Sequence, residues 1–478
     1  MARRSGTAFF SFLLMAMLTL SVDIAAAASR LPFNVQQAMR QAALPPGVVG
    51  IYVQDVAQAS PLLAYNADHA MNPASVMKLL TTYAGLELLG PAYTWQTGVY
   101  AKGVMHGDVL QGDLVMQGHG DPALTLERFW LLLRTLRING LREIHGDLVL
   151  DRSYFAIQLA DPNGFDKQPY RAYNVLPDAL LVNFKITEIR LAPDAEHGMV
   201  RLTADPLPTP LALENHVELD TSGACGDWKE KLSVQPVNGA TPHYALSGKY
   251  AAACGEKVLE LSLFDSNHYF QGLFRQFWES LGGKLTGNVR EGATPADARQ
   301  LLQFNSVPLA DSIRGMNKFS NNVMARHLFL TLGAQNGGPA TVEKSASAVK
   351  NWLTSKKLEF PELALENGAG LSRVERISAR HLGMLLNAAY QSPVFAELES
   401  SLPIVAVDGT MKKRLGERNV AGHAHIKTGS LEGVRAVAGY VFDRKGRRVA
   451  IVCLINHPNA AAGKAVEDAL LEWIYERK

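Results

Sequence analysis

Apolar positions fall in short alternating runs and in helix-spaced runs that succeed one another along the chain. Residues 48–53 and 60–65 carry the two-residue alternation of strands, with a turn between them. Residues 73–89 open with Pro73, stay largely apolar and stop at Gly90-Pro91, a strong breaker pair, which predicts a helix. Short strands are predicted at 99–100, 109–110 and 114–116, punctuated by Gly103, Gly107, Gly112 and Gly118. An amphipathic helix over 124–138 ends at Asn139-Gly140. Gly146-Asp147-Leu148-Val149-Leu150 echoes Gly112-Asp113-Leu114-Val115-Met116. The echo has no fixed period, so it reads as two similar strand starts and not as a repeat architecture.

Loop-like chain over 162–177 gives way to alternating segments at 185–191, 199–204 and 232–237, a small β-rich module. Residues 269–281 read as a helix closed by Gly282-Gly283, a linker begins at Pro295, and helical patterns return from Leu309. Two strands, 434–443 and 447–456, are joined by the turn Arg444-Lys445-Gly446. A last helix is predicted over 465–475; its mixed faces favour packing on the sheet over lying on a membrane surface.

The chain has 478 residues, room for two or three domains. With 47% hydrophobic and 19% charged residues it can bury sizeable cores and does not read as disordered. The formal net charge is +2 with both signs interspersed, and no basic stripe asks for nucleic acid or an anionic membrane. Arg3 and Arg4 precede an apolar run over 9–22 and then Ala25-Ala26-Ala27-Ala28-Ser29. That run is short of the roughly 20 residues of a membrane span. A basic head, apolar middle and small-residue end describe a secretory signal (residues 1–28), with cleavage expected between Ala28 and Ser29; an uncleaved anchor is the alternative. Export makes a disulfide permissible. Cys225 and Cys254 both sit in Ala-Cys-Gly within polar, turn-rich chain, and a bridge between them is expected. A metal half-site is the other reading, but no paired ligands stand beside them. Cys453, inside an apolar run, is expected to be a free core residue.

Candidate chemistry begins with Ser75-Val76-Met77-Lys78. Residues three apart on a helix share a face, so Ser75 and Lys78 can enter one pocket. A serine hydroxyl needs a positioned base, and a lysine can be that base only when neutral, through desolvation or a nearby cation. Lys427-Thr428-Gly429-Ser430, ahead of the strand predicted from Val434, supplies a second element. Lys427 is read as the fixed cation that acts on Lys78 and attracts a carboxylate, and Gly429 as room for a substrate backbone. Alone, the stretch would be a solvated turn. Ser320-Asn321-Asn322 is the third element: a hydroxyl to relay a proton and an amide to hold a carbonyl, or, standing alone, a helix N-cap serine. His423 and His425 lack a third ligand, and no metalloprotease, nucleophile-elbow or phosphate-loop motif is present in the sequence.

Together the three elements match, in order and type, the Ser-x-x-Lys, Ser-x-Asn and Lys-Thr-Gly set of penicillin-binding proteins and serine β-lactamases. Lys78 and Ser320 are 242 positions apart, more than a compact β-lactamase uses, so chain is inserted between them. Gly118-His119-Gly120-Asp121-Pro122, Asn367-Gly368-Ala369-Gly370-Leu371-Ser372-Arg373, Leu402-Pro403 through Asp408-Gly409-Thr410, and His425 through Leu431 extend the likeness. The sequence resembles the peptidase S13 family, the D-alanyl-D-alanine carboxypeptidases/endopeptidases of the low-molecular-mass class C penicillin-binding type.

The resemblance implies an α/β (α+β) protein. A β-lactamase/transpeptidase-like catalytic domain (29–98 and 300–478), its antiparallel sheet flanked by helices, would carry an inserted domain (99–180 and 266–299) with a nested β-rich domain (181–265). It implies Ser75 as nucleophile, Lys78 as base and Ser320 as relay, with Asn322, Lys427, Thr428, Gly429 and Ser430 binding substrate and the amides of Ser75 and Ser430 facing the oxyanion. Arg373 and Thr410 would line the cleft, and Asp166 would reach a diaminopimelate side chain. Around Asp166 the sequence departs from the family's Trp-rich loop, reading Gly164-Phe165-Asp166-Lys167-Gln168, and a plain loop aspartate is the other reading. Ala369 stands where a serine is commoner, with little effect expected. Peptidoglycan stem peptides would be substrates and β-lactams covalent inhibitors, in the periplasm, with no cofactor or metal; a homodimer and peripheral membrane association stay open. A serine β-lactamase is the alternative enzyme, lacking a Glu-x-x-Leu-Asn stretch, and a non-catalytic peptidoglycan-binding module is the alternative class.

Overall fold

A computed structural model describes residues 30–157, 164–208, 211–238, 242–335 and 337–477. The predicted leader and its cleavage point lie outside the described residues. The chain forms two compact units, one of Met1–Ala92, Leu309–Ala325 and Ala346–Lys478, the other of Tyr93–Pro308 and Arg326–Ser345. The expected boundaries at 98/99 and 299/300 differ from these because strand Arg299–Asn305 pairs antiparallel with strand Gln96–His106, which carries both into the second unit.

In the first unit the two ends of the chain share one sheet. Its order is Ala424–Leu431, Val434–Phe442, Arg448–Asn456, Val49–Asp55, Leu63–Tyr65, with antiparallel neighbours throughout. Val49, Ile51 and Val53, with Ile451, Cys453 and Ile455, pack in one core with Val35 and Met39 of helix Phe33–Gln41 and Leu470 and Ile474 of helix Lys464–Tyr475. On the other face Tyr52 meets Gly383 of helix Ala379–Tyr390, and the Tyr440 hydroxyl donates to the Leu386 carbonyl. Both faces are covered, so Val49–Asp55 is buried at every position. The last helix packs as expected: Val466, Leu470, Leu471 and Ile474 are all fully buried, worth about 1.5–3 kcal/mol each.

Two local elements differ from the sequence expectation. The predicted helix over 73–89 begins as a 3-10 turn, Ala74–Met77, and becomes α-helical only at Lys78–Leu89. Lys427-Thr428-Gly429-Ser430 leads to the strand Val434–Phe442 as expected, but is not a turn: it lies within the edge strand Ala424–Leu431.

The second unit holds two sheets. The seven-stranded one centres on the hairpin Gln96–His106 and Val109–Gly118, each strand much longer than the fragments predicted there. Gly103 and Gly112 sit opposite each other in that hairpin, and a Cβ on either would come within 2.2 Å of the partner strand's backbone. They permit close approach and do not end strands. The two echoing segments are neighbours, pairing Leu114 with Leu148, Val115 with Val149 and Met116 with Leu150. The six-stranded sheet covers Thr187–Asp194 through Lys257–Leu261. One continuous core joins Val99 and Leu114 to Ile189 and Leu246, with Phe270 and Phe274 of helix Ser266–Ser280 in it. The β-rich module shares its unit's core.

Candidate active site

In a 3-10 turn the side chains at i and i+3 eclipse one another. The turn Ala74–Met77 therefore stacks Lys78 over Ser75, and Lys78 Nζ donates to Ser75 Oγ at 2.9 Å. Lys78 is fully buried, and its Nζ also donates to Asn322 Oδ1 at 2.7 Å and to the Ala369 carbonyl. Asn322 opens helix Asn322–Ala334, which is capped by Asn321, whose Oδ1 accepts from the Met324 N–H at 3.0 Å. Ser320 is thus not the cap. It holds φ +59° between two helices and accepts from Lys427 Nζ at 2.8 Å.

Ile426 N–H turns away from the sheet to the Pro403 carbonyl, and the Ala424 carbonyl turns the same way to Val405. By the two-residue alternation the N–H groups of Thr428 and Ser430 point outward too. Lys427, one residue out of phase, is on the opposite side of that alternation and fully buried. Burial pushes its pKa down to about 7, so it titrates near neutrality and is not the permanent cation expected of it. Thr428 Oγ1 donates to Thr410 Oγ1 at 2.8 Å. Gly429 has a reason beyond the one expected. A Cβ there would lie 2.7 Å from the Pro73 carbonyl oxygen and 3.1 Å from Ser75 N, so glycine lets the strand edge press against the Ser75 turn.

Several supporting residues escaped the sequence reading. Ala74 has φ +46° immediately before Ser75, a conformation costly for alanine. Asn72 sustains it: its Oδ1 accepts from Ala74 N–H, its amide nitrogen donates to the Ser372 carbonyl, and its backbone pairs with the Asn456 side chain. Gly370 is required because a Cβ would meet the Ala74 carbonyl oxygen at 1.8 Å. Glu375, fully buried, accepts at Oε1 from the N–H groups of Glu366, Asn367 and Gly368 and so shapes the loop that offers Ala369 to Lys78. That contact is made by the Ala369 carbonyl, which any residue supplies. Burial raises the Glu375 pKa, opposed by those three bonds. Lys318 Nζ donates to Asp408 Oδ2 at 2.6 Å and to the Leu402 carbonyl at 2.7 Å, fixing the loop before Thr410 to the helix before Ser320. Burial raises the Asp408 pKa, but Lys318 and the Ile404 N–H outweigh it and leave the carboxyl below its usual range. A lysine and an aspartate 90 positions apart give no sequence signal of pairing.

Arg373 is half-exposed and donates to the Glu432 carbonyl at 2.9 Å. Asp166 lies in the second unit, where Tyr173, Asn174 and the Gln168 N–H all donate to its carboxylate. Cys225 and Cys254 are bonded, and Cys453 is free and buried. Among the described residues no cluster of His, Cys, Asp or Glu is placed to hold a metal, and no helix is long and apolar enough to cross a membrane.

Known proteins are similar to this chain in sequence and fold. The D-alanyl-D-alanine carboxypeptidase of Actinomadura sp. (strain R39) is 30% identical over 459 residues, covering 91% of this chain and 83% of that one. The crystal structure of penicillin binding protein 4 (dacB) from Haemophilus influenzae superposes with a TM-score of 0.77 at 26% identity, covering 93% of this chain and all of the other. The same protein complexed with a novel β-lactam gives a TM-score of 0.74. Residues 31–477 match the D-Ala-D-Ala carboxypeptidase 3 (S13) family along their whole length, and the chain belongs to that family.

Proposed function

We propose that this protein is an exported serine DD-peptidase that acts on peptidoglycan stem peptides through an acyl-enzyme on Ser75. The observation that carries the reading is the chain of contacts Ser75–Lys78–Asn322 beside Ser320–Lys427. Lys78 Nζ takes the Ser75 Oγ proton as Oγ attacks the carbonyl between two D-alanines, and the amides of Ser75 and Ser430 receive the oxyanion. Ser320 passes its proton to the leaving amine and regains one from Lys78, which returns the proton taken from Ser75. Asn322 orients the substrate amide. Lys427, with Thr428 and Thr410, receives the terminal carboxylate, an anion that favours the protonated form of a lysine whose resting pKa is about 7. Water then cleaves the ester and releases the acid. A cross-linked peptide enters by the same steps, with a diaminopimelate amine as leaving group. β-Lactams acylate Ser75 and stay. Arg373, which donates to the Glu432 carbonyl two positions after Ser430, borders the acyl side of the cleft.

A fluorescent penicillin is expected to label the wild-type chain stably and to leave Ser75→Ala unlabelled. Absence of labelling, or fast turnover of the penicillin as in a β-lactamase, would overturn the reading.

A further inference from the structure

A pocket of about 440 Å³ opens within the second unit, and the mechanism above uses none of the residues that line it. Helix Ser266–Ser280, strand Val289–Glu291 and the turn Asn183–Lys185 contribute to its wall. Arg152 and Lys185 bring positive charge to it, Asp178, Asp265 and Glu291 negative charge. We infer that this pocket binds the carboxylate end of a short aliphatic peptide and gives the enzyme a second anchoring point for peptidoglycan stem peptides. The identity of that peptide, though not the site itself, rests on the serine-peptidase reading above.

Partners already in place decide what the ligand must be. Asp178 accepts from Arg152 Nε and from the Leu180 N–H, each at 2.9 Å. Asp265 caps its helix, accepting from the Asn267 and His268 N–H groups at 3.0 Å. Glu291 accepts from Arg152 Nη1 at 3.2 Å and is otherwise largely in water. The groups left over are donors. Arg152 Nη2 is buried and has no partner among the described residues, and the half-buried Lys185 ammonium has none there either. Burial lowers the Lys185 pKa, while Asp178 and Asp265 act from a distance to raise it. A cation so placed gains from an acceptor that touches it.

The turn that presents Lys185 is strained. Asn183, Phe184 and Lys185 hold φ +47°, +53° and +54°, three successive left-handed residues without a glycine. Other groups hold it in shape. The Asn183 N–H donates to the Leu124 carbonyl at 2.8 Å, the Lys185 N–H to the Val182 carbonyl at 2.9 Å, and Asn183 Nδ2 to the Tyr269 hydroxyl at 3.1 Å. The lysine side chain takes no part in them, so it is spare for a ligand and replaceable without loss of the turn. Three carboxylates against two cations leave the wall net negative. That disfavours a doubly charged phosphate and admits a singly charged carboxylate on Lys185 and Arg152 Nη2. Phe155, Leu176 and Pro177 offer apolar surface to an adjoining methyl such as that of alanine, in a volume usual for small-ligand pockets.

The test uses the full chain saturated with penicillin, so that the Ser75 site is filled. Binding of N-acetyl-D-alanine is followed by ligand-observed NMR in wild type, Lys185→Met and Lys185→Arg, with inorganic phosphate as the second probe. The expected result is saturable binding of N-acetyl-D-alanine to wild type, at least tenfold weaker in Lys185→Met and largely restored in Lys185→Arg. Phosphate should bind more weakly than N-acetyl-D-alanine, and the penicillin acylation rate should be the same in all three chains. No saturable binding, or equal binding in wild type and Lys185→Met, would overturn the inference. Tighter binding of phosphate would overturn it too, by making the site one for dianions. A wild type that takes up no penicillin but still binds N-acetyl-D-alanine through Lys185 would remove the DD-peptidase reading and leave the carboxylate site standing.

Discussion

Lys427 and Glu375 are buried ionisable side chains held in place by hydrogen bonds beside the site, and each makes a distinct prediction. For Lys427 the folded-state value near 7 lies below the ordinary lysine value of about 10.4. Between those values the unfolded chain binds a proton that the folded chain does not, so stability rises with pH there, and the burial penalty is complete below pH 7. Lys427→Met is expected to raise the melting temperature relative to wild type at pH 6 and to lose that advantage toward pH 10, a difference of at most a few kcal/mol at about 1.4 kcal/mol per unit. A gap independent of pH in thermal melts would count against it. Glu375 touches no reacting atom and acts through the loop it shapes. Glu375→Ala strips three buried N–H groups of their acceptor, at about 1–3 kcal/mol each. It is expected to slow penicillin acylation severalfold, whereas Glu375→Gln keeps an acceptor oxygen and restores the rate. Failure of glutamine to rescue would make the carboxylate charge, and not its shape, the relevant property.

At the scale of elements, the candidate site depends on backbones brought unusually close. Gly429→Ala places a methyl 2.7 Å from the Pro73 carbonyl oxygen, and Gly370→Ala places one 1.8 Å from the Ala74 carbonyl oxygen at φ +79°. Both variants are expected to lose at least tenfold in acylation rate, with Gly370→Ala the worse of the two and also less stable by thermal melting. The reverse order would indicate that the edge strand is the more rigid neighbour. These positions also show what could be read in advance. Ser75, Lys78, Ser320, Asn322 and Lys427 stand in three short motifs whose order is distinctive, so their meeting was legible. The last two strands and the terminal helix were too, because their apolar runs are long and cleanly bounded. Ala74, Asn72, Glu375 and the Lys318–Asp408 pair were not. Their roles arise from contacts between distant segments, and composition carries no trace of a left-handed alanine or of an aspartate facing a lysine. Gly103 and Gly112 misled for a related reason: paired across a hairpin they let two backbones approach, while along the sequence each resembles a break.

For the molecule as a whole, the two units have different means of support. The second includes the Cys225–Cys254 bond, which closes a separation of 29 residues and is worth about 3.6 kcal/mol in chain entropy. Cys225→Ser with Cys254→Ser is expected to lower the midpoint of the transition that unfolds this unit. Penicillin acylation measured at 25 °C should remain, since Ser75, Lys78, Ser320, Asn322 and Lys427 all belong to the other unit. Loss of acylation in a folded double variant would contradict that separation.

The first unit has no such tie and relies on its two ends meeting. Val49–Asp55 pairs along its whole length with Arg448–Asn456, and Asn72 N–H finds its acceptor in Asn456, 384 positions later. At ordinary elongation rates that interval is roughly 20 to 80 s of synthesis. Until it has passed, the Ser75 turn lacks both the Asn456 side chain that grips Asn72 and the strand edge that presses on it. A nascent chain therefore carries its nucleophile for most of its manufacture without the means to use it. A chain ended before Ala424 should take up no penicillin, however well the rest has folded.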